Sequence, residues 1–211
     1  MTIISNKYQN IIFDLGGVVL NIDPLLTAKA FSDLGLSNSN ELFSPSKQKQ
    51  LFDLYEKGEI SSDGFRNQFK YHCSDKIDDA AVDRAWNAML LDLPKERLLL
   101  LQKAKALHRT FLLSNTNDIH IETFNVYLEK NFGIPDLSGC FEKMYLSYKV
   151  GMRKPDAEIF ELVLSENNLY PNETLFIDDS IEHIESAKKL GIQTYWLDVK
   201  KESINDLFVI D

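Results

Sequence analysis

Apolar residues recur along the chain in two ways: in short runs that stop on polar residues or glycine, and at helical spacing between those runs. The first run, Ile11-Ile12-Phe13-Asp14-Leu15-Gly16-Gly17-Val18-Val19-Leu20, reads as a buried strand that delivers Asp14 to a sheet edge. The Gly-Gly turn after it is expected to display that carboxylate rather than bury it. Glycine there also lets the backbone approach an anion such as phosphate, because nothing projects from Cα.

From Asn21 to Asp92 the spacing is helical, without alternation: Leu25-Leu26 through Leu34, Leu51-Phe52 with Leu54-Tyr55, Phe65 with Phe69, and Val82 through Trp86 to Met89-Leu90-Leu91. Pro24 marks a helix start, Gly35 follows a helix end, and Ser61 is an N-cap for the helix carrying Phe65. The segment predicts a small helical bundle.

After Pro94 helices and strands alternate. A helix over Lys95 to Leu107 leads to the strand Thr110-Phe111-Leu112-Leu113, which ends on Ser114-Asn115-Thr116-Asn117 and caps a helix from Ile119 to Lys130. Residues 131–140 read as a loop, Met144-Tyr145-Leu146-Ser147 as a short strand, and Gly151 to Asp156 as irregular. Pro155 precedes a helix from Ala157 to Asn168 and biases Lys154 to an extended conformation from which its amine can reach the sheet edge. Thr174 to Ile177 is a further strand ending on Asp178-Asp179-Ser180. A helix then runs to Leu190, Gly191 stops it, and Gln193 to Leu197 is the last strand, with no clear pattern after Val199.

This alternation predicts an α/β fold, a parallel sheet covered by helices on both faces. Ligands of such sheets gather at the carboxyl ends of the strands, where Asp14, Ser114, the Lys154 loop and Asp178-Asp179 all fall. Taken singly, each has an ordinary explanation: a turn, a helix cap, a solvated lysine. Their recurrence at successive strand ends points to chemistry.

The chain has 211 residues, long enough for one core or a core plus a smaller unit, and 44% of them are hydrophobic, as in an ordinary globular protein. A net charge of −9 with no Lys/Arg-rich run argues against a nucleic-acid partner. No apolar stretch approaches membrane length, and the first ten residues lack the charged-then-apolar pattern of a leader. Cys73 and Cys140 lie outside any metal-ligand spacing and read as inert thiols of a reducing compartment, which makes the cytoplasm the expected location.

Several carboxylates at one edge repel one another unless a cation joins them. Asp14, Asp178 and Asp179, with the main-chain carbonyl of Gly16, are hard oxygen donors that suit Mg²⁺ and argue against zinc. With that charge balanced, Asp14 can attack a phosphoryl group, Lys154 can hold both carboxylate and phosphate, and the Ser114 hydroxyl and Asn115 amide can bind phosphate oxygens.

In Phe13-Asp14-Leu15-Gly16-Gly17-Val18, Leu113-Ser114-Asn115, Lys154-Pro155 and Phe176-Ile177-Asp178-Asp179-Ser180, the chain resembles the haloacid dehalogenase-like hydrolases over nearly its whole length. With Glu56-Lys57-Gly58-Glu59-Ile60-Ser61 and Gly151-Met152-Arg153-Lys154-Pro155 included, it is similar to the helical-capped branch that holds the bacterial α-D-glucose-1-phosphate phosphatases. The resemblance implies a Rossmann-like core over 1–20 and 93–211 and a helical cap over 21–92, acting on a small phosphorylated metabolite as a monomer or weak homodimer. It also implies Mg²⁺ held directly by Asp14, the Gly16 carbonyl and Asp179, with Asp178 working mostly through water.

One position departs from the family pattern. Most phosphatases of the superfamily carry an acid two residues after the nucleophile, and here that residue is Gly16. Asp23, Glu56 and Glu59 are the candidate substitutes, an activated leaving group needs none, and slow turnover by a protein that mainly binds is the third possibility. Tyr55 to Ile60 is the candidate inner face of the cap, with Asn21-Pro24 and Asp92-Pro94 as its hinges. Competing activities are carbon–halogen hydrolysis, which needs no cation, phosphoryl transfer to a second metabolite, and receiver-like phosphate acceptance without turnover.

Overall fold

A computed structural model describes residues 7–36, 45–72 and 77–208 of the chain. Its centre is a five-stranded parallel sheet in the order β3-β2-β1-β4-β5, built from β1 (Asn10–Phe13), β2 (Arg109–Ser114), β3 (Lys143–Leu146), β4 (Thr174–Asp178) and β5 (Gln193–Trp196). All four residues of β1 and all five of β4 are buried, as expected for parallel strands covered on both faces. β1 sits in the middle, pairing Phe13 with Leu112 on one side and with Ile177 on the other, so the residues that follow these strands emerge together.

Nine helices accompany the sheet among the described residues: α1 (Pro24–Asp33), α2 (Pro45–Glu56), α3 (Ser62–His72), α4 (Asp79–Trp86), α5 (Lys95–Leu107), α6 (Asp118–Phe132), the short α7 (Ser147–Val150), α8 (Ala157–Asn167) and α9 (Ile181–Lys189). Two apolar clusters cover the two faces of the sheet, one including Leu98, Leu101, Phe124 and Leu128, the other Ile159, Phe160, Val163, Ile184 and Ala187. A third cluster belongs to α1–α4: Phe31, Tyr55, Phe65, Phe69 and Trp86 pack face to face and edge on, with Phe31 and Phe69 stacked at 4.3 Å. From the sheet side, Ile119 enters this aromatic cluster.

The two chain connections between these parts form a clasp. Asn21 N–H donates to Asp92 O (2.9 Å), Leu91 N–H to Asn21 O (3.0 Å), and the Asn21 side chain to the Asp92 carboxylate (2.9 Å). Asn21-Pro24 and Asp92-Pro94 are therefore adjacent.

Three local readings differ from the sequence expectation. The first strand stops at Phe13, and Val18-Val19-Leu20 fold back beneath it, with Val19 and Leu20 N–H both donating to Leu15 O. The helical turn α7 follows β3 directly, so Ser147 opens a helix instead of closing a strand. Asp14 is at a strand end as expected but is not displayed: it is only 7% exposed. Cys140 is a buried free thiol, and Cys73 lies outside the described residues. Among the described residues no helix is long and apolar enough to cross a membrane.

Candidate active site

Parallel pairing sets the site. Because Phe13 and Ile177 are in register on neighbouring strands, Asp14 and Asp178 follow side by side, and Asp14 N–H donates to Ile177 O (3.0 Å). Between the two carboxylates lies the ammonium of Lys154, which donates to Asp14 Oδ1 (2.6 Å), Asp178 Oδ2 (2.7 Å) and the Leu113 carbonyl (2.9 Å). Lys154 is fully buried, with Nζ 5.4 Å above the Phe176 ring. A lysine is tolerated there only because all three of its donors have acceptors.

The loop carrying Lys154 is held by Asn115. Its Oδ1 accepts from Lys154 N–H (2.9 Å) and its Nδ2 donates to Lys154 O (2.8 Å), so the side chain serves as a two-point clamp. The Asn115 main-chain N–H has no acceptor among the described residues and is free for a ligand. Ser114 is buried at the end of β2, its hydroxyl making only a 3.4 Å contact to the Asn115 carbonyl. Next to them Ser147 Oγ accepts from Thr116 N–H (2.9 Å) and donates to Thr116 O (3.0 Å), fixing the turn after β2.

Asp179 completes the acidic set. Asp14, Asp178 and Asp179 each offer an oxygen within 4.8 Å of the others. The chain can bring Asp179 this close because residue 17 is glycine: at φ +80°, a Cβ there would lie 2.3 Å from Asp179 Oδ2. The Gly16 carbonyl accepts no hydrogen bond from the described residues. These donors are all oxygen, which fits Mg²⁺.

Electrostatics agree. Burial, with the repulsion of Asp178 and Asp179, outweighs Lys154 and pushes the Asp14 carboxyl up to about 7. Burial and the Asp178 charge likewise raise Asp179. For Asp178 burial acts upward too, but Lys154 and His183 outweigh it and hold the group below the usual range. Burial would lower Lys154, yet Asp14 and Asp178 hold it above the ordinary lysine value. A divalent cation beside Asp14 and Asp179 would relieve the charge that Lys154 leaves unbalanced.

The sequence reading missed His183. Its Nδ1 lies 3.0 Å from both oxygens of Asp178, while Ser180 N–H donates to Asp178 Oδ1 (2.8 Å). Its place in the first turn of the helix after Asp178-Asp179 is the available clue, since that turn faces back over the strand end.

The Tyr55–Ile60 corner packs against the carboxyl edge of the sheet, with Gly58 and Glu59 exposed. Arg153, adjacent to Lys154, binds Asp53 (2.6 Å) and Glu56 (2.8 Å) of α2, and Lys57 pairs with Asp156 (3.1 Å). Tyr55 donates to Asp118 Oδ1 (2.6 Å), and Ser62 donates to the other oxygen of the same carboxylate. Gly58 lies so near the Tyr148 carbonyl that a Cβ would be 2.4 Å from it. Of the three candidate acids, Asp23 caps α1 by accepting from Leu25 N–H, Glu59 is exposed, and Glu56 is paired with Arg153 and raised by burial. At Gly16 itself a Cβ would meet Ile22 Cδ1 at 3.0 Å.

Residues 8–191 match the haloacid dehalogenase-like hydrolase family, and the chain is a member of it. Its sequence is 32% identical over 187 residues to D-ribitol-5-phosphate phosphatase of Bacteroides thetaiotaomicron, covering 89% of this chain and 90% of that protein. A haloacid dehalogenase family enzyme of Bacteroides thetaiotaomicron, solved in complex with magnesium and inorganic phosphate, superposes with a TM-score of 0.81 at 36% identity over 92% of this chain and 96% of that one. A predicted hydrolase of the same family from Porphyromonas gingivalis gives 0.81 at 28% identity over 92% and 93%.

Proposed function

We propose that this hydrolase is a Mg²⁺-dependent phosphatase that cleaves a small sugar-type phosphate through an aspartyl-phosphate on Asp14. The observation that carries the reading is the buried Lys154 ammonium bridging Asp14 and Asp178 beside Asp179. The similarity to a pentitol phosphatase and to an enzyme holding magnesium and phosphate supports it.

In this reading Asp14, the Gly16 carbonyl and Asp179 hold Mg²⁺, and Asp178 acts through water and through Lys154. The ion would supply positive charge for the phosphoryl oxygens as they approach a carboxylate. Asp14 would attack phosphorus as the ester P–O bond breaks, the departing alkoxide taking its proton from water. A water molecule would then attack the aspartyl-phosphate, its proton passing to the released phosphate, and restore the carboxylate. Lys154 keeps Asp14 oriented and balances charge, while the Ser114 hydroxyl and the free Asn115 N–H bind phosphate oxygens. Residues 21–92 act as the cap over a core of 1–20 and 93–211, excluding water and contacting the leaving group. Two cysteines outside any metal-ligand spacing support a cytoplasmic setting.

The test is steady-state hydrolysis of D-ribitol 5-phosphate and other small sugar phosphates. Multiple turnovers that EDTA stops and Mg²⁺ restores, and that Asp14→Asn abolishes in a folded protein, are expected. A single stoichiometric phosphorylation, or haloacid turnover indifferent to EDTA, would overturn the reading.

A further inference from the structure

A small cavity of about 60 Å³ opens beside the position that lacks its acid. Gly16, Ser114 and Thr116 from the strand ends line it, with Ile22 and Met89 from the clasp and His120 from α6. Ser114 is a candidate phosphate ligand, so this space adjoins the place where the phosphatase reading seats the phosphate. His120 is the titratable side chain lining it.

The imidazole is held in one orientation and one tautomer. Its ring stacks on Trp86 at 4.8 Å with 8° between planes, and its Nδ1 lies 2.8 Å from Asn87 Oδ1. Asn87 is itself oriented, because its Nδ2 donates to Thr123 Oγ1 (2.8 Å), which leaves Oδ1 facing the histidine as an acceptor. Nδ1 therefore carries the proton and Nε2 the lone pair. Nε2 has no partner among the described residues and is not among the side-chain atoms sealed from solvent without one. Burial pushes this group down to about 3, so near neutral pH it accepts a hydrogen bond and does not supply a proton.

We infer that His120 contacts the substrate, its Nε2 accepting a hydrogen bond from a hydroxyl of the leaving group, and so selects polyol and sugar phosphates over esters without hydroxyls. The inference rests on the phosphatase reading and specifies its substrate class. A site that holds an unpaired acceptor discriminates against an analogue that cannot donate to it.

The experiment compares D-ribitol 5-phosphate with n-pentyl phosphate, a chain of equal length without hydroxyls, in the intact protein and in His120→Phe, which keeps a stacking ring but no acceptor. The ratio of kcat/KM for the two esters is expected to fall by about fivefold or more in the variant. A smaller fall overturns the inference. If the variant does not fold, the ¹⁵N resonance of His120 Nε2 is followed in Asp14→Asn protein. A shift on adding ribitol phosphate but not pentyl phosphate supports the contact, and equal or absent shifts overturn it. Failure of the unsubstituted protein to turn over either ester with Mg²⁺ would instead overturn the phosphatase reading, which keeps the two failures apart.

Discussion

Lys154 Nζ lies 2.6 Å from Asp14 Oδ1, although 140 residues separate them in sequence. Both groups are buried, and neither would be stable as a charge there alone. Removing the lysine leaves Asp14 and Asp178 facing each other without the ammonium that bridges them. Lys154→Met is expected to lower turnover more than a hundredfold, by the scale of losing a charge-stabilising donor, and to destabilise the fold by about 3–5 kcal/mol. Urea denaturation and phosphatase kinetics on the same preparation check both.

Gly17 tests the proposed metal site without replacing a proposed ligand. Gly17→Ala places a methyl where Asp179 Oδ2 now lies and forces φ +80° on a residue with a side chain. The backbone term alone costs about 1–2 kcal/mol, and the clash moves the carboxylate. The Mg²⁺ concentration for half-maximal activity is expected to rise severalfold, read by a metal titration. An unchanged titration would mean that Asp179 is not needed where it stands.

Arg153 joins α2 to the loop that carries Lys154, with a side chain only 19% exposed. Arg153→Ala leaves Glu56 half-buried without its partner, a change on the order of 1–3 kcal/mol. Amides of α2 are expected to exchange faster with solvent and KM for a sugar phosphate to rise, while exchange in β1 and β4 stays as before. Hydrogen exchange followed element by element distinguishes loosened docking from general destabilisation.

His120 gives the stability a pH dependence of known sign. Burial holds its folded value down at about 3, against about 6.5 in an unfolded chain. Below 6.5 the unfolded chain binds a proton that the native imidazole refuses, so stability falls as pH drops from 6.5 toward 3. The slope is about 1.4 kcal/mol per unit, or roughly 2 kcal/mol by pH 5. His120→Phe lacks this component, and urea midpoints at pH 7 and pH 5 for the two proteins measure it. Equal losses in both would show that His120 is not held neutral.

What could be read from the chain alone was everything carried by local spacing. Strands ending on Asp14, Ser114 and Asp178, a helical stretch between Asn21 and Asp92, and Lys154 ahead of Pro155 follow from period, punctuation and turn chemistry. Tertiary structure decided whatever depends on what lies across from a residue. Asp14 is buried because Lys154 and the neighbouring strand end close over it, which a turn signal cannot report. Asn115 clamps a peptide 39 residues away, and Arg153 reaches Asp53 and Glu56 about a hundred residues back. His120 becomes readable only once the Gly16 cavity lies beside it, and the contact of His183 with Asp178 only once the helix turn faces back over the strand end. Hydrophobic periodicity records which face of an element is covered. The partner of a polar group is set by sheet order and by the docking of helices, and neither leaves a periodic trace in sequence.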